Sequence, residues 1–150
     1  MNQLRRAFFK IAGAALAVAS GLVKPGRAFA AAWNKAGFES KAVTDAIKAL
    51  GATGAAESKD IVITAPDIAE NGAVVPVAVL SRIPNTRTIS ILSEKNPFPL
   101  AATFELSGTD AYVSTRVKMG QTSNVRVIVQ ADGRFYTTVK EVKVTIGGCG

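Results

Sequence analysis

From residue 60 onward the sequence predicts an all-β domain, an immunoglobulin-like antiparallel β-sandwich, with a short N-terminal helix before it and a flexible C-terminal tail behind it. Three observations carry this. Seven short runs rich in β-branched residues fall at 61–65, 73–80, 86–92, 101–106, 111–118, 125–130 and 135–146. Turn-forming residues separate the runs: Asn71-Gly72 and Asp132-Gly133 tolerate positive φ in tight hairpins, and Asn96-Pro97-Phe98-Pro99 withholds backbone donors and forbids helix. No helical pattern stands between the runs, which disfavours a parallel doubly wound sheet and favours two packed antiparallel ones.

In chain order, residues 1–30 read as a cleavable export signal. A basic start ends in Arg5-Arg6-Ala7-Phe8-Phe9-Lys10, an apolar run follows from Ile11 to Val23, and Ala28-Phe29-Ala30 offers small residues for cleavage after Ala30. The apolar run is well short of the roughly 20 residues that cross a bilayer core, so no membrane anchor is expected after cleavage. The paired Arg5 and Arg6 with Phe8 and Lys10, ahead of a mild Ala- and Gly-rich run, resemble the twin-arginine (Tat) class. Tat exports folded proteins, so a partner subunit carried in the same complex is expected, together with a periplasmic destination.

The mature chain is expected to start without fixed structure. At 40–50, Val43, Ala46, Ile47 and Leu50 form one apolar stripe at helical spacing, with Lys41, Asp45 and Lys48 on other faces. Ser40 is the expected N-cap and Gly51 the expected left-handed stop. Residues 51–58, rich in Gly, Ala and Ser, read as a linker to the strands. In the last and longest run, Val142, Val144 and Ile146 alternate with Lys143 and Thr145, the mark of a strand with one covered face. The division is then signal 1–30, helix and sandwich 31–146, and tail 147–150.

Composition excludes much. Five of the 18 Lys and Arg residues lie in the first thirty positions, which leaves 13 cations against all 11 acids in the body and removes the case for nucleic-acid binding. With no His and one Cys, His/Cys zinc sites, Ser/His/Asp and Cys/His catalysis and intrachain disulfides are all unavailable. No metal or other cofactor is expected. Gly51 to Gly54 followed by Lys59 lacks the Gly-Lys-Ser/Thr ending of a phosphate loop. Asp67, Glu70, Glu94 and Asp110 are spread as solvated turn residues are, without a recognisable acid-base pair. Arg116 and Lys118 alternate on a strand and read first as an exposed face, second as an aid to docking.

What remains is Cys149, in Ile146-Gly147-Gly148-Cys149-Gly150. A lone cysteine is ordinarily a small core residue. Here Gly147, Gly148 and Gly150 supply no apolar surface to anchor it and have the most backbone entropy to lose on ordering, so an exposed thiol is expected. Four residues past Ile146, at roughly 3.3 to 3.6 Å each, reach about 13 Å, and the missing side chains leave a tail thin enough to enter a cleft. No base accompanies the thiol, and a C-terminal carboxylate nearby would disfavour the thiolate. Such a sulfur is poorly placed to catalyse and well placed to be presented. A disulfide-linked dimer through Cys149, in an exported structural module, is the alternative. Lipidation is excluded by position.

These residues resemble the SoxY family, the sulfur carriers of the periplasmic thiosulfate-oxidising (Sox) system. The resemblance rests on the Tat signal, on Lys48-Ala49-Leu50-Gly51, Glu70-Asn71-Gly72-Ala73-Val74-Val75-Pro76-Val77, Glu94-Lys95-Asn96-Pro97-Phe98-Pro99 and Ser114-Thr115-Arg116-Val117-Lys118-Met119, and above all on the run from Val142 into Gly147-Gly148-Cys149-Gly150. It implies that Cys149 carries the substrate covalently, as an S-thiosulfonate or persulfide derivative, and that partners do the chemistry. Those partners are a c-type cytochrome complex that loads thiosulfate, a dimanganese sulfate thiohydrolase and, where present, a molybdenum or haem sulfane dehydrogenase. It also implies a heterodimer with a SoxZ-like β-sandwich subunit. One departure is that the family tail typically ends Gly-Gly-Cys-Gly-Gly, whereas this sequence stops at Gly150.

Overall fold

The computed structural model describes residues 33–145. The expected signal at 1–30, with Arg5, Arg6, Phe8 and Lys10, lies outside the described residues, as do Ile146 and the expected carrier arm of Gly147, Gly148, Cys149 and Gly150.

Two helices come first. The chain is already helical at α1 (Lys35–Glu39), in a stretch expected to lack structure. Asn34 fixes this short helix by accepting from the Gly37 N–H at 2.9 Å and donating to the Ala49 carbonyl at 2.9 Å, which ties α1 to the end of α2 (Val43–Ala49). Ser40 does not cap α2: its hydroxyl donates to the Ala36 carbonyl at 2.6 Å and closes α1, while α2 starts behind Ala42 with no side-chain cap. Gly51 takes φ +72°, the left-handed stop the sequence requires. The Val43, Ala46, Ile47 and Leu50 stripe faces inward, packing with Phe38 and Ala52 against Leu92, Leu100, Ile128 and Phe135.

The strands are β1 (Ala56–Glu57), β2 (Ile61–Thr64), β3 (Ile68–Ala69), β4 (Val75–Ser81), β5 (Thr86–Ser93), β6 (Leu100–Glu105), β7 (Tyr112–Val117), β8 (Ser123–Ala131) and β9 (Arg134–Val144). A six-stranded sheet runs β1-β9-β8-β5-β6 with β3 also on β9, and a three-stranded sheet runs β2-β4-β7. Their inner faces meet in a core of Val75, Val77, Val79, Val113 and Val117 from the small sheet and Ile89, Ile91, Val125, Val127, Val129 and Val142 from the large one. The helices cover part of the large sheet's outer face, so two apolar layers flank it.

All seven runs read from the sequence are strands, and the sandwich is the one expected. Asp132 at φ +48° and Gly133 at φ +72° make the tight β8–β9 hairpin that brings Ala131 opposite Arg134. Asn71-Gly72 behaves otherwise. Asn71 accepts from the Ala73 N–H at 2.9 Å and caps a single 3₁₀ turn, Gly72–Val74, so β4 begins at Val75 and no hairpin forms there. The reason is topological: between β2 and β4 the chain crosses to the other sheet to make β3. β3 and β1 were not expected, β1 falling in the stretch read as linker, and both pair with β9 in parallel within an otherwise antiparallel structure. Two residues are too few to carry a period-2 signal.

Candidate functional site

The sequence predicts the chemistry at Cys149, just past β9, and what the structure contributes is the platform on which that strand ends. β9 is the longest strand and is held on both edges. One edge pairs with β8 from the hairpin at Ala131 and Arg134 down to Ser123 opposite Val142, and beyond it the Val144 N–H donates to Thr122 Oγ1 at 2.9 Å. On the other edge the Ser58 N–H donates to the Thr137 carbonyl, the Lys143 N–H to Asp67 at 3.0 Å and the Thr145 N–H to Ala69 at 3.2 Å. Lys140 reinforces this edge, its Nζ bonded to the Ala65 carbonyl at 2.7 Å and to Asp67 at 3.0 Å. Val142 is fully buried and Lys143 exposed, as the alternation requires. The backbone is therefore anchored through Thr145, four residues before Cys149.

Three turns gather at this end of the sandwich. Residues 94–99 join β5 to β6, residues 118–122 join β7 to β8, and the 3₁₀ turn leads into β4. Asn96 donates from Nδ2 to the Lys118 carbonyl at 2.6 Å and accepts from the Gly120 N–H at 3.2 Å, while the Met119 N–H donates to the Gly72 carbonyl at 2.6 Å. The Lys95 N–H donates to Ser123 Oγ at 3.0 Å. The segments 70–77, 94–99 and 114–119 that carry the family resemblance thus converge where β9 ends. Asn96→Ala removes both of its bonds across two turns and is expected to cost about 1 to 2 kcal/mol. The check is a lower thermal midpoint together with faster amide exchange at Gly120.

The scattered carboxylates form no common site. Glu94 Oε1 accepts from Arg126 Nε at 2.7 Å and Asp67 pairs with Lys140, whereas Asp110 precedes β7 at the opposite end of the sandwich from Glu70. The Glu94–Arg126 pair spans 32 residues of sequence, and only the β5–β8 register, with Leu92 opposite Arg126, brings it together. Among the described residues no cluster of His, Cys, Asp or Glu is arranged to hold a metal ion, and no helix is long and apolar enough to cross a membrane. A hollow lined by Lys59, Arg126 and Thr137 lies midway along β9, and there the guanidinium already faces Glu94. Arg116 and Lys118 are exposed as expected, Arg116 opposite Pro76 and Lys118 in the turn gathered at the end of β9.

The described residues define an all-β sandwich domain, a helical layer on one outer face and its longest strand leading toward a glycine-flanked cysteine. The family model for sulfur oxidation protein SoxY matches residues 47–149, a span that takes in both sheets and Cys149. Among solved structures, the sulfur carrier protein SoxY from Chlorobium limicola f thiosulfatophilum is 44% identical, with 69% of this chain and 96% of that one covered and a TM-score of 0.60. This chain belongs to the SoxY family of sulfur carriers. The T24K form of superoxide reductase (neelaredoxin) from Ignicoccus hospitalis, at 19% identity over 69% of this chain and 90% of that one with a TM-score of 0.50, shares the fold alone. Comparison with curated protein sequences returns no match.

Proposed function

We propose that this chain is the periplasmic carrier subunit of a Sox system, exported by the Tat route through Arg5, Arg6, Phe8 and Lys10, and that Cys149 holds the substrate covalently. One observation supports this most directly: β9 is fixed on both edges up to Thr145, and the chain's single cysteine follows four residues later behind two glycines. At roughly 3.3 to 3.6 Å per residue, Cys149 is confined to within about 14 Å of Thr145, close enough to be held to the domain and far enough to enter a partner's cleft. Gly147 and Gly148 add no side-chain width to that length.

The chemistry is divided between carrier and partners. Loading joins the Cys149 thiolate to the outer sulfur of thiosulfate, giving an S-thiosulfonate and releasing a pair of electrons to a c-type cytochrome complex. Hydrolysis by a dimanganese thiohydrolase adds water across the terminal S–S bond, releasing sulfate and two protons and leaving a persulfide on Cys149. A sulfane dehydrogenase, where one is present, oxidises that persulfide. The carrier supplies no metal and no acid-base pair, and its contribution is to raise the concentration of each intermediate at the next site by tethering it. A SoxZ-like subunit completes the exported complex.

Intact-mass analysis of the mature complex after incubation with thiosulfate and the loading cytochrome tests this. An added thiosulfate mass on the peptide containing Cys149, removed by reducing agent, is the expected result. No adduct on Cys149 in a reconstituted turnover mixture rules the reading out.

A further inference from the structure

Outside the thiol itself, the end of the sandwich around β9 carries an unusual surface. Ile68, Val74 and Phe98 are large apolar residues, yet 58%, 51% and 50% exposed. Single exposed apolar residues are ordinary on any surface. These three stand on the elements that gather around one strand end: Ile68 is in register with Lys143 on β3–β9, Val74 closes the 3₁₀ turn bonded to Met119, and Phe98 lies in the turn that Asn96 pins to residues 118–120. Lys95, Lys118 and Lys143 are exposed among them, and none enters the ion pairs found among the described residues. Of the acids at this end, Asp67 and Glu94 are matched to Lys140 and Arg126, while exposed Glu70, next to β3, lies outside those pairs and is outnumbered by the three lysines.

We propose that this rim is the docking face for the enzyme that loads Cys149, and that it fits a catalyst whose active-site mouth is apolar at its centre and acidic at its border. The inference rests on the carrier reading. The length of chain between Thr145 and Cys149 carries it: about 14 Å of extended backbone is the most that can separate the sulfur from the end of β9, so a catalyst that encloses the sulfur must close on the surface from which the tether leaves. That surface is the rim. Phe98 lies in the turn from β5 to β6, between two and three strand spacings or roughly 10 to 14 Å across the sheet from β9, and so falls within the reach of the tether. By contrast the exposed pair Leu80 and Tyr112, opposite each other on β4 and β7, lies five residues or about 16 Å along β4 from Val75 at the rim end. A desolvated apolar centre bordered by unpaired cations is the arrangement that gives both contact energy and steering toward an acidic partner.

The experiment uses the mature carrier with its companion subunit, the loading cytochrome complex and thiosulfate. The combined variant Ile68→Ser, Val74→Ser, Phe98→Ser is expected to raise KM for enzymatic loading about tenfold or more while kcat stays within about twofold, and to leave alkylation of Cys149 by iodoacetamide unchanged. The unmodified carrier is expected to show a KM that rises with added salt, and in a second variant, Lys95→Gln, Lys118→Gln, Lys143→Gln, that rise is expected to flatten. Both sets lie on the surface, and a melting curve together with the intact heterodimer serves as control. Unchanged KM in both folded variants overturns the docking face. So does loss of the companion subunit, which would make the rim the permanent interface, or conversion of a carrier homodimer to monomers, which would make it a self-association surface. An unmodified carrier that takes up no thiosulfate with an active loading enzyme refutes the carrier reading itself, before any rim variant is compared.

Discussion

Cys149→Ser is expected to abolish thiosulfate-dependent adduct formation completely and to leave the stability of the domain unchanged within about 0.5 kcal/mol. The loss is total because loading forms a bond to sulfur, and a serine hydroxyl cannot make the S–S linkage that a partner later cleaves. The chain holds no second cysteine to substitute. The fold is expected to be spared because described residues already fill each layer of the core: the inter-sheet layer by residues from Ile61 to Val142, and the outer layer by the helices on Leu92, Leu100 and Ile128. Mass spectrometry of the mature complex after turnover and thermal unfolding of the same sample check the two halves. A variant that still acquires thiosulfate mass would move the attachment point elsewhere and end the carrier assignment at this residue.

Ile91→Ala produces the opposite pattern, a large loss of stability with the chemistry intact in whatever fraction remains folded. Ile91 is fully buried in the middle of β5, opposite Val127 on β8 and Ala102 on β6, and belongs to the core shared by the two sheets. Truncation removes three carbons and leaves a void that the strands, paired on both sides, cannot close. A cost of about 3 to 4 kcal/mol follows, within the range for Ile-to-Ala changes in rigid cores. For a domain of this size that lowers the thermal midpoint by roughly 10 to 15 °C. Chemical denaturation of the mature domain measures it, and a change below about 1 kcal/mol would mean that the site collapses or that Ile91 is not held as described. Together the two variants separate what holds the domain from what the domain presents.

How far the sequence reveals this molecule depends on the length over which each signal repeats. The seven longer strands are legible because each is a run of at least four residues, mostly apolar or β-branched, bounded by turn signals, and the β8–β9 hairpin because Asp132-Gly133 satisfies a conformational demand few other pairs can meet. β1 and β3 are invisible because two residues define no period, although they decide how β9 is held. The short α1 is hidden for a similar reason: it spans five residues, includes Gly37, and exists because Asn34 bonds forward to Gly37 and across to Ala49. Ser40 satisfies the rule for a helix start and is used instead at a helix end, since its hydroxyl finds the Ala36 carbonyl first. At the candidate site, Cys149 and its glycines stand out by composition. The surface around the end of β9 does not, since Ile68 on β3, Val74 in the 3₁₀ turn and Phe98 in the β5–β6 turn are brought to one end only by the topology. The segments that hold Val74 and Phe98, 70–77 and 94–99, are visible as family resemblance without any indication that they meet, and Ile68 lies outside every such segment.

The two-sided grip on β9 bears on what happens when a partner takes hold of the cysteine. A pull along the axis of β9 runs across the backbone bonds on both flanks, perpendicular ones to antiparallel β8 and slanted ones to parallel β3. Those bonds are then loaded together in shear, instead of being unzipped one at a time as they would be if the terminal strand were dragged sideways off an edge. In the proposed carrier role, a load passed to β9 would meet both flanks at once, and the sandwich would resist unravelling from its last strand inward.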